Sequence, residues 1–284
     1  MQKLLMLALD GLESSLVVKW NLKILLQKFH GQFYIGGLSK LYTPLIWSSI
    51  LVGANIEQKG YTYDKAVRKS MGKLGLLHVV KKHLVGEKKR SWLARRMLKK
   101  LDLLKPPRFI MPQNLLQQTF LKKIEKMGYQ VFALEIPGYN EKTNGIFRLE
   151  MPKLTISGTL KNKRDFIRKV MQDAESRMEK TKNVLKAYDL IMAYVPLPDL
   201  AHHLFPKPTL TTRLEMLTIY KWLETKASII REAYNLNFKV LILSDHGFDI
   251  ENYDHTNSGF WSTNFPTNIR SYEDFHPEIL KWCD

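Results

Sequence analysis

The sequence predicts one α/β domain over residues 1–284, in which a largely parallel sheet is covered by helices on both faces. Two observations predict it. Four short runs, Leu4–Leu9, Tyr129–Leu134, Leu190–Val195 and Phe238–Leu243, are mainly apolar, as strands buried on both sides must be. Stretches of helical spacing separate them, the order that crossover connections between parallel strands produce. With 45% hydrophobic residues among 284, the chain can bury one large core or two modest ones.

Leu4–Leu9 is closed by Asp10-Gly11 and reads as the first strand. Leu16, Trp20, Ile24 and Leu25 recur at helical spacing and predict one amphipathic helix. Tyr34–Leu38 suits a short strand or a loop. Thr43-Pro44 has the chemistry of a helix start, with Thr43 at the cap and proline at the first helical position, and Gly53 suits the end. Residues 65–115 are helical in pattern, basic, and end near Pro106-Pro107; they are expected to form an inserted cap or arm. A helix over Leu115–Met127, closed by Gly128, leads to the second strand. After a turn at Pro137-Gly138 and a less regular stretch, a long polar helix is expected from Arg164 to Lys186. The third strand delivers Asp199. A helix from Thr211 to Tyr234 then leads to the fourth strand, which delivers Asp245.

The formal charge is +17, and between Lys65 and Lys126 eighteen Lys/Arg stand against three acidic residues. That segment is either a solvated helical face or a basic surface for a polyanion such as nucleic acid or an anionic membrane. Trp92 and Phe109 are the main aromatics among those charges, too few for a base-stacking platform. No apolar run approaches the ~20 residues of a membrane-spanning helix. Leu4–Leu9 is too short for a secretory signal. The only cysteine, Cys283, excludes an internal disulfide and a cysteine metal cluster. A cytoplasmic location is expected.

The chemistry concentrates at the ends of the apolar strands. Asp10 follows the first, Asp199 and His203 follow the third at a spacing of one helical turn, and Asp245-His246 follows the fourth. His255 stands a little further on, in Asp254-His255-Thr256-Asn257-Ser258-Gly259-Phe260. In open parallel sheets ligands bind beyond the carboxyl ends of the strands, so these positions imply one shared site. Carboxylates and imidazoles are the ligands of hard to borderline divalent metals. Two ions about 4 Å apart can clamp the attacking and leaving oxygens of a phosphoryl displacement. Thr43, at a helix start that favours an anion, is the natural nucleophile.

These residues resemble the alkaline phosphatase superfamily, and within it the type I phosphodiesterase/nucleotide pyrophosphatase branch. The resemblance runs through Leu-Asp-Gly at 9–11, Thr-Pro-Leu-Ile-Trp-Ser-Ser-Ile-Leu-Val-Gly at 43–53 and Pro-Asp-Leu-Ala-His-His at 198–203. It continues through Ser-Asp-His-Gly-Phe at 244–248 and His-Thr-Asn-Ser-Gly-Phe-Trp-Ser at 255–262. It implies an alkaline-phosphatase-like three-layer sandwich. It also implies one metal among Asp10, Thr43, Asp245 and His246, and a second held by Asp199, His203 and His255. Zinc and manganese both suit such donors. A covalent phosphothreonine at Thr43 follows, and His202 falls outside the motif, as a supporting or surface residue. Two positions depart from the branch: Ile46 stands where members that cleave nucleotides usually carry Asn, and Lys59-Gly60 replaces a common His-Gly.

The leading expectation is therefore metal-dependent hydrolysis of a phosphodiester, with a phosphomonoester as close variant. A sulfatase needs a modifiable Cys or Ser in a Cys/Ser-x-Pro-x-Arg frame, which Thr43-Pro44-Leu45 lacks. A cofactor-independent phosphoglycerate mutase uses a serine nucleophile and a larger insertion. The alternative from another class is a nucleic-acid-binding protein that uses the basic 65–115 segment on an old catalytic core.

Overall fold

The computed structural model describes residues 2–66, 109–205, 209–252 and 254–283. Its strands are β1 (Leu4–Leu9), β2 (Phe29–Tyr34), β3 (Val131–Leu134), β4 (Leu190–Val195), β5 (Lys239–Ser244), β6 (Phe248–Asp249), β7 (Asp254–His255) and β8 (Ser258–Thr263). Six of them form one sheet in the order β2-β8-β5-β1-β4-β3, and β6 pairs with β7 as a separate ribbon. The four strands expected from apolar runs are the four that pair in parallel. β1 lies between β4 and β5, and β3 continues beyond β4. β8 joins β5 antiparallel and β2 joins β8 antiparallel.

Alternation along the central strands divides the apolar side chains between two cores. Leu5, Leu7 and Leu9 of β1 enter one, with Ile191, Ala193 and Val195 of β4. Leu4, Met6 and Ala8 enter the other, with Leu190, Met192 and Tyr194. The first core is closed by the helices Leu160–Asn183, Leu210–Lys226 and Ile229–Asn235, the second by Thr43–Val52, Phe120–Lys126 and Phe275–Cys283. A sheet buried on both faces between helical layers is the expected three-layer sandwich. Each fully buried aliphatic side chain in it contributes about 1.5–3 kcal/mol.

Several helices differ from expectation. The single helix expected around Leu16–Leu25 is two, Ser14–Lys19 and Lys23–Leu26, because Asn21 takes a positive φ of 50° between them. The helix expected over Leu115–Met127 is also two, Gln113–Leu116 and Phe120–Lys126. Thr119 breaks it and caps the second through its side chain, which accepts from Lys122 N. The stretch read as irregular before Arg164 holds the helix Asn144–Ser157, and the polar helix begins earlier, at Leu160. Thr211–Tyr234 is broken at Ala227-Ser228. Tyr42 rather than Thr43 caps the helix Thr43–Val52, which Gly53 ends at φ 68° as expected. Tyr34 belongs to β2, which starts at Phe29; the expected Tyr34–Leu38 strand is otherwise loop. Most of the basic cap expected over 65–115 lies outside the described residues. Among the described residues no helix is long and apolar enough to cross a membrane.

Candidate metal centre and active site

Each central strand hands one residue group to the same end of the sheet. β1 leads into Asp10, whose N–H bonds Val195 O at 3.0 Å. β4 leads through Pro196, Leu197 and Pro198 to Asp199, the first residue of the helix Asp199–Leu204, whose N–H returns to Asp10 O at 2.9 Å. β5 leads into Asp245 and His246, and β7 carries His255. Ser244 locks two of these exits together. Its hydroxyl accepts from Leu12 N at 2.8 Å and donates to His246 O at 2.9 Å.

Gly11 is required by the close approach. Its φ is +67°, and a Cβ there would lie 2.7 Å from Asp199 Cβ and 2.8 Å from Asp199 Cα. Any side chain would push Asp199 away from the cluster.

All seven residues singled out in the sequence are brought together. His246 Nε2 lies 3.3 Å from Asp10 Oδ1 and 3.5 Å from Asp245 Oδ2, and Thr43 Oγ1 lies 3.5 Å from Asp10 Oδ1. Asp199 Oδ1 lies 3.4 Å from both His203 Nε2 and His255 Nε2, which are 2.9 Å from each other. The two groups abut where the His246 and His255 rings stack at 3.8 Å. His202 points elsewhere. It is buried, stacks on Phe248 at 4.7 Å and bonds Tyr220 through Nε2 at 3.1 Å, so it is not a surface residue. Burial pushes its imidazole down to about 3.

The tautomers are set by backbone carbonyls, which can only accept. His246 Nδ1–H donates to Gly247 O at 3.0 Å and His255 Nδ1–H to Leu41 O at 3.1 Å. Both rings therefore turn an Nε2 lone pair toward the carboxylates when neutral. Asp199 Oδ1, Asp245 Oδ2 and His246 Nε2 are buried and have no hydrogen-bond partner among the described residues. Such atoms are costly unless something else satisfies them.

Electrostatics pull the same way. Burial opposes ionisation of Asp199, yet His203 and His255 outweigh it and hold the carboxyl well below the usual carboxylate range. Burial drives Asp245 well above that range, and the adjoining Asp10 and Asp199 charges add to it. Burial favours neutral His246, but the contacts with Asp10 and the charge of Asp199 raise it above an ordinary imidazole. In the absence of a cation the cluster has to hold protons to limit its own repulsion.

The donor set fits divalent metal. Ligand atoms about 2.0–2.1 Å from a tetrahedral ion stand about 3.4 Å from one another, and the Nε2–Oδ separations here are 3.3–3.5 Å. Asp10, Asp245 and His246 form one compact triad of potential ligands, and Asp199, His246 and His255 another.

Sequence reasoning missed three residues around this site. Tyr194, near the end of β4 and in register with Ala8, donates its hydroxyl to Asp10 Oδ2. Burial, with the Asp10 charge, keeps that phenol far above its ordinary range, so it stays a donor. One polar tip at the end of an apolar strand was the available signal. Asn144 and Arg148, from a helix the sequence did not announce, line the same cleft of about 170 Å³ as Asp10, Thr43, Asp199, His203 and His255. A larger, mainly apolar hollow of about 240 Å³ beyond His202 and Phe248 contains none of the seven.

Sheet order and helical layers together make this an α/β protein with an alkaline-phosphatase-like fold. No protein-family model and no curated protein matches the chain. Among solved structures it is similar to a 2-O GAG sulfatase, with a TM-score of 0.55 and 10% identity over 100% of this chain and 71% of that one. It is also similar to murine ectonucleotide pyrophosphatase/phosphodiesterase 5 in complex with AMP, with a TM-score of 0.44 and 14% identity. That match covers 87% of this chain, which spans 57% of the murine chain. At 10% identity the likeness to the sulfatase is one of fold.

Proposed function

We propose that the protein is a metal-dependent hydrolase that cleaves a phosphodiester, with a phosphomonoester as close variant, through a covalent phosphothreonine at Thr43. The observation that carries this reading is the convergence of buried, unpartnered ligand atoms, Asp199 Oδ1, Asp245 Oδ2 and His246 Nε2, beside the Thr43 hydroxyl. Asp10, Asp245 and His246, with Thr43, would hold one divalent ion, and Asp199, His203 and His255 the other; zinc or manganese suits these donors. When bound, such ions supply Lewis acidity at the threonine hydroxyl and at the phosphoryl oxygens.

The chain's own groups do the rest. Thr43 opens the helix Thr43–Val52, whose positive end favours an incoming anion. Thr43 Oγ attacks phosphorus, the ester bond to the leaving alcohol breaks and its oxygen takes up a proton; water later displaces the threonine oxygen, releasing a phosphomonoester from a diester substrate or phosphate from a monoester, and Thr43 regains its hydroxyl proton. Asp10 Oδ1, 3.5 Å from Thr43 Oγ1, would face the same ion as that hydroxyl, whose proton passes to solvent as the oxygen attacks. Tyr194 holds the other Asp10 oxygen and thereby fixes the carboxylate's orientation.

A phosphate ester is preferred to a sulfate ester because Thr43-Pro44-Leu45 offers no cysteine or serine to modify, and Cys283 is buried in the last helix. Ile46 is wholly buried and Lys59 reaches Gln118 on the surface, so neither supplies the nucleotide-branch contacts at those two positions. A cytoplasmic setting remains part of the proposal, supported by the single cysteine. The direct test is turnover of bis-p-nitrophenyl phosphate with manganese or zinc. Thr43→Ala is expected to abolish it while Asp10, Asp245 and His246 still hold their ion; undiminished turnover by that variant would remove threonine from the mechanism.

A further inference from the structure

Resting on that reading, we propose that Arg148 takes the anionic oxygens of the bound ester, as the specificity-determining contact of the cleft. Arg148 lines the cleft together with Thr43, and among the described residues around it no other is a Lys or Arg. Its side chain is 18% exposed, which leaves the head within reach of a ligand. Nη1 donates to Glu141 Oε1 at 2.6 Å, the same oxygen that accepts Phe109 N at 2.6 Å, and the guanidinium lies 5.1 Å from the Phe109 ring. An arginine carries five N–H donors in a planar fork, so one anchored edge fixes the orientation of the rest.

Three neighbours of the nucleophile offer an anion little. Leu45 and Ile46, which follow Thr43 and Pro44 on the nucleophile's helix, are apolar and wholly buried. Asn144 commits one amide N–H to Glu135 O at 2.8 Å, and its buried Oδ1, without a partner among the described residues, is an acceptor that cannot serve an anion. Glu141 has a side-chain exposure of 0%. A buried ion pair seldom stabilises a fold more than apolar residues of the same size. A pair placed in the wall of this cleft is therefore better explained by what its cation binds. Burial opposes the charge on Arg148, but Glu141 outweighs it and the guanidinium stays ionised.

The experiment is calorimetric titration of inorganic phosphate into wild type, Arg148→Met, Arg148→Lys and the double variant Arg148→Met/Glu141→Gln, each with its metal content measured. The double variant strands no buried carboxylate and decides the matter if Arg148→Met alone does not fold. Expected is a rise in Kd of about tenfold or more for both methionine variants, since a charge-assisted contact is lost. Metal content should be unchanged, and lysine should restore part of the affinity. Phosphate binding within about twofold of wild type in the folded methionine variant overturns the inference. So does a loss that only tracks loss of metal, which would mark a structural role. The underlying functional reading fails separately: wild type would then bind phosphate through Arg148 yet hydrolyse no ester.

Discussion

Gly11 shows how much of the site depends on one missing side chain. The Asp10-Gly11 pair is ordinary turn chemistry in sequence, but in the fold it lets the Asp199 backbone close on the end of β1. Gly11→Ala would meet Asp199 at under 3 Å and carry the added strain of φ +67°. The expected outcome is loss of at least one metal per chain and a stability loss of about 1–3 kcal/mol, read by elemental analysis and denaturant unfolding. Full metal content in that variant would show that Asp199 is not held through this contact. Six of the seven cluster residues were legible because Asp and His at or just beyond strand ends have few structural uses, and Thr43 because it opens a helix ahead of a proline. Arg148 was not, because its role depends on Glu141 seven residues earlier and on a cleft that only the fold creates.

Elements were legible in proportion to how completely they are buried. β1, β4 and β5 show almost unbroken burial and announce themselves as apolar runs. β2 escaped notice because only Phe33 among its six residues is buried. β8 reads as Ser-Gly-Phe-Trp-Ser-Thr, whose polar residues are satisfied within the fold, as Ser262 is by Leu25 O at 2.6 Å. Helices were over-joined wherever side-chain caps or positive φ values interrupt a continuing apolar period, as at Thr119 and Asn21.

The last helix, Phe275–Cys283, carries its own test. Burial, with the nearby Lys123 charge, pushes His276 below an ordinary imidazole, and its Nε2 bonds Gln118 O at 3.2 Å. The unfolded chain, with a histidine titrating near ~6.5, binds the proton first. Stability is therefore level above that pH and falls as pH drops through it. His276→Gln should flatten this part of the stability profile between pH ~7.5 and ~5, measured by denaturation midpoints. An unchanged slope would mean that other groups govern it.

At the scale of the whole molecule, two cores share one sheet and leave a polar cluster at a single end of it. The three-layer architecture was legible because alternation within fully apolar strands demands a core on each side. Placing the edge strands and the Asn144–Ser157 helix required the fold itself. The excess of positive charge between Lys65 and Lys126 belongs to this scale too. If it draws polyanionic esters to the site, charge reversal at Lys88, Lys89, Arg95 and Arg96 raises KM for such substrates and spares small chromogenic esters. Equal losses on both would point to a role in folding.

The most direct measurement is elemental analysis of active protein, with anomalous scattering from its crystals. The account predicts two divalent ions per chain, one among Asp10, Thr43, Asp245 and His246 and one among Asp199, His203 and His255. Active protein that contains no metal, or ions bound away from these residues, would contradict it.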